Sequence, residues 1–141
     1  MAAGAVVSSA EEALEGAIIA VLSGDTDVQA LLGEPMRIVE GTSPKPAYPY
    51  LEVARHLSEP AGAAGVAASE HRVDLVVISR LDGGTDGVRA IAAIRAALGA
   101  AELEMEGWRC VLLVPAFADT LNRGRGIWRA ILRMRAVVEA A

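Results

Sequence analysis

The sequence predicts an α+β fold in which two main helices pack on one face of an antiparallel or mixed sheet of about four to five strands. Segments 10–22 and 88–98 repeat apolar residues at the spacing of a helix with one apolar face. Segments 50–55, 71–80 and 127–139 have the residue patterns of strands. Because each helix has a single apolar face, both can be buried against the same layer of strands.

The composition predicts one domain. The chain has 141 residues, so we expect a single domain over 1–141 with a loosely ordered start at 1–8. Apolar residues make up 53% of the chain and aromatic residues only 4%, so the core should consist of aliphatic side chains. The net charge of −5 argues against a free-standing nucleic-acid-binding domain, which would carry clustered basic residues. The single cysteine, Cys110, excludes an intrachain disulfide and a thiolate metal cluster.

We predict neither an export signal nor a membrane span. The amino-terminal segment lacks the basic flank of a signal peptide, and acidic residues come early, at Glu11, Glu12 and Glu15. The longest uncharged apolar stretch near it, 16–24, is too short to cross a bilayer. We therefore expect a soluble protein that is made in the cytoplasm and has no membrane contact.

The first main helix has clear boundaries in the sequence. Ser9 and Glu12 have the spacing of a capping box, and Gly24 should end the helix. A short helical turn at 28–32 and a short strand at 36–40 should follow. A loop with three prolines then leads to the first long strand.

The middle of the chain should contain a loop and a central strand. Segment 57–69, after the strand 50–55, is rich in Ala, Gly, Ser and Pro, so we predict a long mobile hairpin loop there. Segment 71–80 carries apolar residues on both faces, which indicates a central position in the sheet.

The last part of the chain should begin with the second main helix. Thr85 or Asp86 should cap this helix, and Gly99 should end it. A strand at 108–117 and a turn at 122–126 follow, so the final strand should pair with 108–117 as a hairpin.

The final strand carries the most informative pattern. In extended backbone, side chains alternate between two faces, and Arg129, Arg133 and Arg135 fall on the same one; we call these residues the arginine row. The opposite face is wholly apolar, with Trp128, Ala130, Leu132, Met134, Ala136 and Val138. A strand that presents arginines in this way usually meets solvent or a partner's carboxylates. The arginine row, with Arg123 and Arg125 of the turn before it, is therefore a candidate subunit or tube interface.

A second candidate interface is acidic. Glu102, Glu104 and Glu106 alternate along the chain just before the strand 108–117. A solvated acidic edge accounts for them, and so does a contact with the arginines of a neighbouring subunit.

No catalytic arrangement is evident. The glycine-rich segment 83–87 lacks the lysine and the spacing of phosphate-binding loops, so a turn and helix cap explains it better. His71 and Asp74 lie three residues apart on a strand and should project to opposite faces. His56 has no cysteine or carboxylate pattern around it, which argues against a metal site. We predict no catalytic residue, no cofactor site and no metal site.

Several segments resemble a known family in order and spacing. Segment 46–53 resembles the loop-to-strand entry of small tail-completion proteins of long-tailed bacteriophages, and 71–80 is similar to that family's central strand. The helix 88–98 and the ending 126–139 follow in the same order, so the likeness covers roughly 10–139. It extends to members found in gene transfer agents, the phage-like particles that some bacteria encode. One departure is the turn before the last strand, where the family often has an Asp-Gly pair and this chain has Arg-Gly-Arg-Gly.

This resemblance implies a tail terminator. Such a protein forms a ring, expected to be a hexamer, that ends polymerisation of the tail tube and joins tail to head. Its partners would be the tail tube protein and a head-side neck protein, either a stopper or an adaptor. DNA would pass through the lumen without sequence-specific binding. The protein would be made in the bacterial cytoplasm and become part of the tail or neck of a phage-like particle.

A hypothesis from another class remains open at this point. A small ligand-binding or regulatory α+β domain, which could be dimeric, would need a concave apolar pocket with a few convergent polar groups. The sequence alone does not exclude such a pocket. An enzyme ranks third, because no residues meet the geometric requirements of named catalytic roles.

Overall fold

The computed structural model of the chain describes residues 8–39, 44–62, 67–80 and 84–141. In chain order the elements are α1 (Ala10–Ser23), α2 (Thr26–Leu32), β1 (Tyr50–Pro60), β2 (Ala68–Arg80), α3 (Thr85–Ala100), β3 (Trp108–Gly124) and β4 (Ile127–Ala140). The strands form one four-stranded sheet in the order β1-β2-β4-β3, and every neighbouring pair is antiparallel. The predicted α+β class and the central position of β2 are confirmed. No helix in these residues is long and apolar enough to span a membrane.

The two main helices bury their apolar faces against one face of the sheet, as predicted. Leu14 and Ile18 of α1 and Ile94 and Leu98 of α3 are buried in the same cluster as Leu132 of β4. Side chains of β2 and β4 form the floor of this core, because residues paired across the two strands share one face. The core is aliphatic, in agreement with the composition.

Strand β4 alternates as the sequence predicts. Its apolar positions Ala130, Leu132, Met134, Ala136 and Val138 are buried, and the residues between them are only half-buried. Trp128, which we expected beneath the helices, is half-buried. Its ring lies beside Gly84, where an added Cβ would come within 2.8 Å of it.

The helix boundaries agree with the sequence for α1 and α2 but not for α3. The Ser9 hydroxyl accepts from the Glu12 backbone N–H at 3.1 Å, and the Glu12 carboxylate accepts from the Ser9 N–H at 3.4 Å, which confirms the capping box. The prediction of Thr85 or Asp86 as cap of α3 is wrong, because the N-cap is Gly84 at φ 86°. Glycine adopts this left-handed backbone without steric cost. Gly99 does not end the helix, since α3 continues to Ala100.

The strands are longer than the sequence indicates. Residues 57–60 belong to β1 and 68–69 to β2, so both ends of the predicted loop 57–69 are strand. The partner strand explains this difference: β4 continues to Ala140, and backbone pairing along it extends β2 despite its polar side chains. Residues 63–66 of the predicted loop lie outside the described residues, as do 1–7.

The hairpin of β3 and β4 is confirmed, with a tighter turn than predicted. Strand β3 reaches Gly124, which leaves a two-residue turn of Arg125 at φ 56° and Gly126 at φ 75°. Positive φ at both central residues matches the twist of hairpin strands. The predicted strand at 36–40 is reduced, within the described residues, to a single parallel bridge between Ile38 and Leu51.

Candidate assembly surface

The sheet face opposite the core, which we call the helix-free face, carries the arginine row. Arg133 lies directly opposite Asp74 of β2 in the register. Its Nε donates to Asp74 Oδ1 at 2.7 Å, and its Nη2 donates to Oδ2 at 3.1 Å. The guanidinium also lies 5.4 Å from the centre of the Phe117 ring. Two parallel bonds and an aromatic contact hold Arg133 in one orientation.

The electrostatics of this pair follow from its geometry. The Asp74 side chain is 11% exposed and that of Arg133 is 35% exposed. The hydrogen bonds and the negative charge of Asp74 raise the pKa of Arg133, so the arginine stays charged throughout the ordinary pH range.

A second pair extends the charged contacts along the sheet. Arg135 Nε donates to Glu70 Oε1 at 2.7 Å, and Glu70 also lies 3.4 Å from Arg72. Arg72 in turn reaches Glu59 of β1 at 3.7 Å. The hydrogen bond from Arg135 is the largest cause that lowers the pKa of Glu70. The chain of contacts therefore crosses from β4 through β2 to β1.

These pairs change the interpretation of the arginine row. We expected the row to meet solvent or the carboxylates of a partner, but Arg133 and Arg135 pair with carboxylates of the same chain. These partners lie 59 and 65 residues away along the chain, and only the β2–β4 register brings them next to the arginines.

The third member of the row has a different environment. Arg129 lines a groove at the turn end of the sheet together with Lys45, Tyr48, Arg123 and other residues. Arg80 lies next to it, with its guanidinium 5.9 Å from the Tyr48 ring centre. Arg125 is exposed at the adjoining turn. We call Lys45, Arg80, Arg123, Arg125 and Arg129 together the basic groove.

The acidic candidates lie elsewhere on the molecule. Glu102, Glu104 and Glu106 are exposed in the segment between α3 and β3, while Leu103 and Met105 between them pack against the core. None of these three glutamates forms an ion pair with another described residue. The structure places them away from the basic groove, because they precede β3 and the groove lies at its far end.

Sequence reasoning missed a buried polar cluster beneath α1. His56 Nδ1 lies 2.6 Å from Glu15 Oε2, His56 Nε2 lies 2.7 Å from His71 Nδ1, and His71 Nε2 lies 2.7 Å from the Ser69 hydroxyl. We call these four residues the histidine cluster. Burial is the main cause that lowers the pKa of His71, and the nearby charge of His56 lowers it further. In the described part of the chain, no group of three or more His, Cys, Asp or Glu side chains could hold a metal ion.

The family of the chain follows from comparison with known proteins. A family model described as Tail completion protein gp17 matches residues 16–139. The chain belongs to this family. The tail completion match begins inside α1 and ends within β4, so it spans the whole sheet and the core beneath α1 and α3.

A solved structure supports the same conclusion. The fold is similar to that of a chain in "Virion of native gene transfer agent (GTA) particle", with a TM-score of 0.83 and 26% sequence identity. The likeness covers 94% of this chain and 100% of that one. No curated protein matches the sequence. This tail completion protein is therefore a structural protein of a phage or gene-transfer-agent tail, and the resemblance found in the sequence is confirmed.

Proposed function

We propose that this chain is a tail terminator. It forms a hexameric ring at the top of the tail tube, ends polymerisation of the tube and joins tail to head, while DNA passes through the lumen without sequence-specific binding. It acts as a structural protein and not as an enzyme. The observation that carries the proposal is the family match over 16–139, together with full coverage of a chain from a gene transfer agent virion.

The surface of the subunit supports a ring. A closed ring uses heterologous contacts, in which two different patches of neighbouring subunits meet. The basic groove and the exposed glutamates before β3 are two such patches of opposite charge. Large apolar side chains are also exposed along β3, at Val111, Phe117 and Leu121. Exposed apolar residues of this kind are typical of surfaces that become covered in an assembly.

The free edge of β3 favours side-chain contacts over strand addition. Pro115 removes a backbone donor from this strand, and its register against β4 shifts at three places, between Cys110 and Leu112, between Pro115 and Phe117, and between Asn122 and Gly124. Proline residues and β-bulges on an edge strand hinder backbone pairing with a strand of another chain. The neighbours in the particle, the tail tube protein and a head-side neck protein, would accordingly contact side chains here.

The experiment that tests this function is removal of the protein from particle production. We expect tubes of uncontrolled length and heads without tails, and we expect the wild-type chain supplied in trans to restore joined particles. Electron microscopy of the particles measures tube length and joining separately. Tubes of normal length that are joined to heads in the absence of the protein would contradict the proposal.

Mass measurement gives an independent test of the ring. The subunit mass is 14.6 kDa, and a hexameric ring released from particles should have six times this mass in native mass spectrometry. A stable species of twice the subunit mass as the only assembled form would favour the small dimeric domain instead.

A further inference from the structure

We propose that the basic groove receives the acidic segment of a neighbouring copy of this chain, where the acidic segment is residues 102–106. The contact rests on the proposed function, since it is the interface through which the ring would close. It assigns a partner surface to each of two charged patches that the single subunit leaves unmatched.

The basic groove has an excess of positive charge. Its lining includes Lys45, Arg123 and Arg129 and one carboxylate, Glu52. Among the described residues, none of the five basic side chains of the groove forms an ion pair. Arg133 and Arg135 on the same strand are both paired. Cations without an ion pair to another described residue are therefore concentrated at the turn end of β4.

The acidic segment is the complementary surface. Glu102, Glu104 and Glu106 are all exposed, and they make no ion pair with any residue in the described ranges. Leu103 and Met105 pack against the core, which fixes the segment to the body of the subunit. The carboxylates are thus presented outward from an anchored segment, so their binding to a partner would cost little ordering entropy.

The two patches cannot meet within one subunit. Strand β3, with 17 residues, separates Glu106 from the turn that carries Arg125. At a rise of roughly 3.3 Å per residue, this strand is about 55 Å long. A contact between the patches must join two copies. In a closed ring each copy would offer its groove to one neighbour and its acidic segment to the other, which is the heterologous contact that a ring requires.

A second copy fits the groove better than DNA does. The chain carries a net charge of −5, so its overall field repels a polyanion. A copy-to-copy contact pairs both unmatched patches at once, whereas DNA in the groove would leave the acidic segment without a cation. Tyr48 and Tyr50 also give the groove aromatic walls that suit a protein segment.

Charge reversal tests the contact. Arg123→Glu and Glu104→Arg each place a like charge in every copy-to-copy interface, and we expect the concentration for half-assembly to rise about tenfold or more. The double variant Arg123→Glu/Glu104→Arg restores opposite charges at every interface, and assembly should return to within about threefold of wild type. Arg89→Glu, at an exposed position on α3, is the matched control and should assemble normally. Failure of the double variant to recover, or normal assembly of both single variants, would overturn the proposal.

Two further measurements separate the remaining outcomes. If Arg123→Glu loses affinity for a short DNA duplex while its assembly is unchanged, the groove is a nucleic-acid contact and the copy-to-copy assignment is wrong. The variant Arg123→Cys/Glu104→Cys, oxidised within assembled particles, should give covalent multimers on a non-reducing gel, and monomers alone would also overturn the contact. The tube-length experiment, which tests the proposed function, does not depend on either result. Failure of this interface and failure of the proposed function can therefore be distinguished.

Discussion

His56 Nε2 and His71 Nδ1 lie 2.7 Å apart in the core beneath α1, so one of these two ring nitrogens donates to the other. The carboxylate of Glu15 only accepts, so His56 Nδ1 donates to it, and a neutral His56 ring then accepts at Nε2. His71 Nδ1 must then donate to His56, and His71 Nε2 accepts from the Ser69 hydroxyl. With both rings neutral, all four ring nitrogens have a hydrogen-bond partner.

Two positively charged rings do not fit the geometry of the histidine cluster. If both rings are charged, two N–H groups face each other across 2.7 Å. The other polar groups nearby are Glu11 and Ser58, which are hydrogen-bonded to each other at 2.6 Å. Burial and the adjacent charge of His56 therefore oppose protonation of His71.

The first prediction concerns acid. Because the pKa of His71 is lowered in the folded state, the unfolded chain binds this proton first as the pH falls. The free energy of unfolding should be highest above about pH 6.5, the ordinary pKa of histidine, and should decrease below it. His71→Gln, which cannot titrate, should lose less stability than wild type between pH 7.5 and pH 5, measured by urea unfolding. An NMR titration that places the His71 pKa at or above that of an unfolded peptide would contradict this prediction.

The second prediction concerns the core. Leu132 is fully buried in the cluster that joins the helices to the sheet, so Leu132→Ala should lower the free energy of unfolding by about 2–5 kcal/mol. Leu121 on β3 is 46% exposed and provides the control. Leu121→Ala should change the stability of the subunit by no more than about 0.5 kcal/mol in the same denaturation experiment. Equal losses in the two variants would mean that the assigned burial is wrong.

The third prediction concerns the pair of Arg133 and Asp74. A double-mutant cycle with alanine at both positions should give a coupling energy of about 1 kcal/mol, since solvent partly screens Arg133. Arg72 and Glu59 form the control pair, with side chains 41% and 63% exposed at 3.7 Å. Their cycle should give a coupling near zero, because exposed pairs at this distance contribute little. A cycle for Arg133 and Asp74 that is also near zero would show that this ion pair does not stabilise the subunit.

The fourth prediction compares two glycines. Gly84 has φ +86°, and a Cβ there would meet the Trp128 ring at 2.8 Å, so Gly84→Ala should destabilise the subunit by about 1 kcal/mol or more. Gly16 lies within α1 with no atom within 4 Å of an added Cβ. Gly16→Ala should therefore raise stability by about 0.5–1 kcal/mol. Thermal unfolding of the two variants should shift in opposite directions, and shifts of the same sign would contradict the prediction.

The features that the sequence predicts correctly are local or strictly periodic. The capping box of Ser9 and Glu12 needs only four adjacent residues, and the faces of β4 follow from uninterrupted alternation. The apolar spacing of α3 predicts that helix correctly. Its N-cap was missed because Thr85 and Asp86 are residue types that favour the N-cap position, whereas Gly84 takes that position through its left-handed backbone.

The features that the sequence misses depend on register. The shift in pairing between Val53 and Arg55 is a β-bulge, and it moves His56 onto the core face where it meets His71. Without the bulge, strict alternation from Leu51 would place His56 on the helix-free face. The pairing of Arg133 with Asp74 also depends on register, in this case the register of β2 against β4. The sequence of one strand does not determine which residue of the neighbouring strand lies opposite it.

The two-residue alternation of β4 also predicts that tolerance to substitution alternates along this strand. Even-numbered positions from Ala130 to Val138 contribute to the core, while Arg129, Arg133 and Arg135 lie on the other face. In a saturation mutagenesis screen scored for both folding and infectivity or gene delivery, fitness along this strand should oscillate with a period of two. During evolution, the odd-numbered positions could then be substituted to suit new neighbouring proteins, while packing in the core restricts substitution at the even-numbered positions. Two sets of positions on one strand would therefore evolve at different rates.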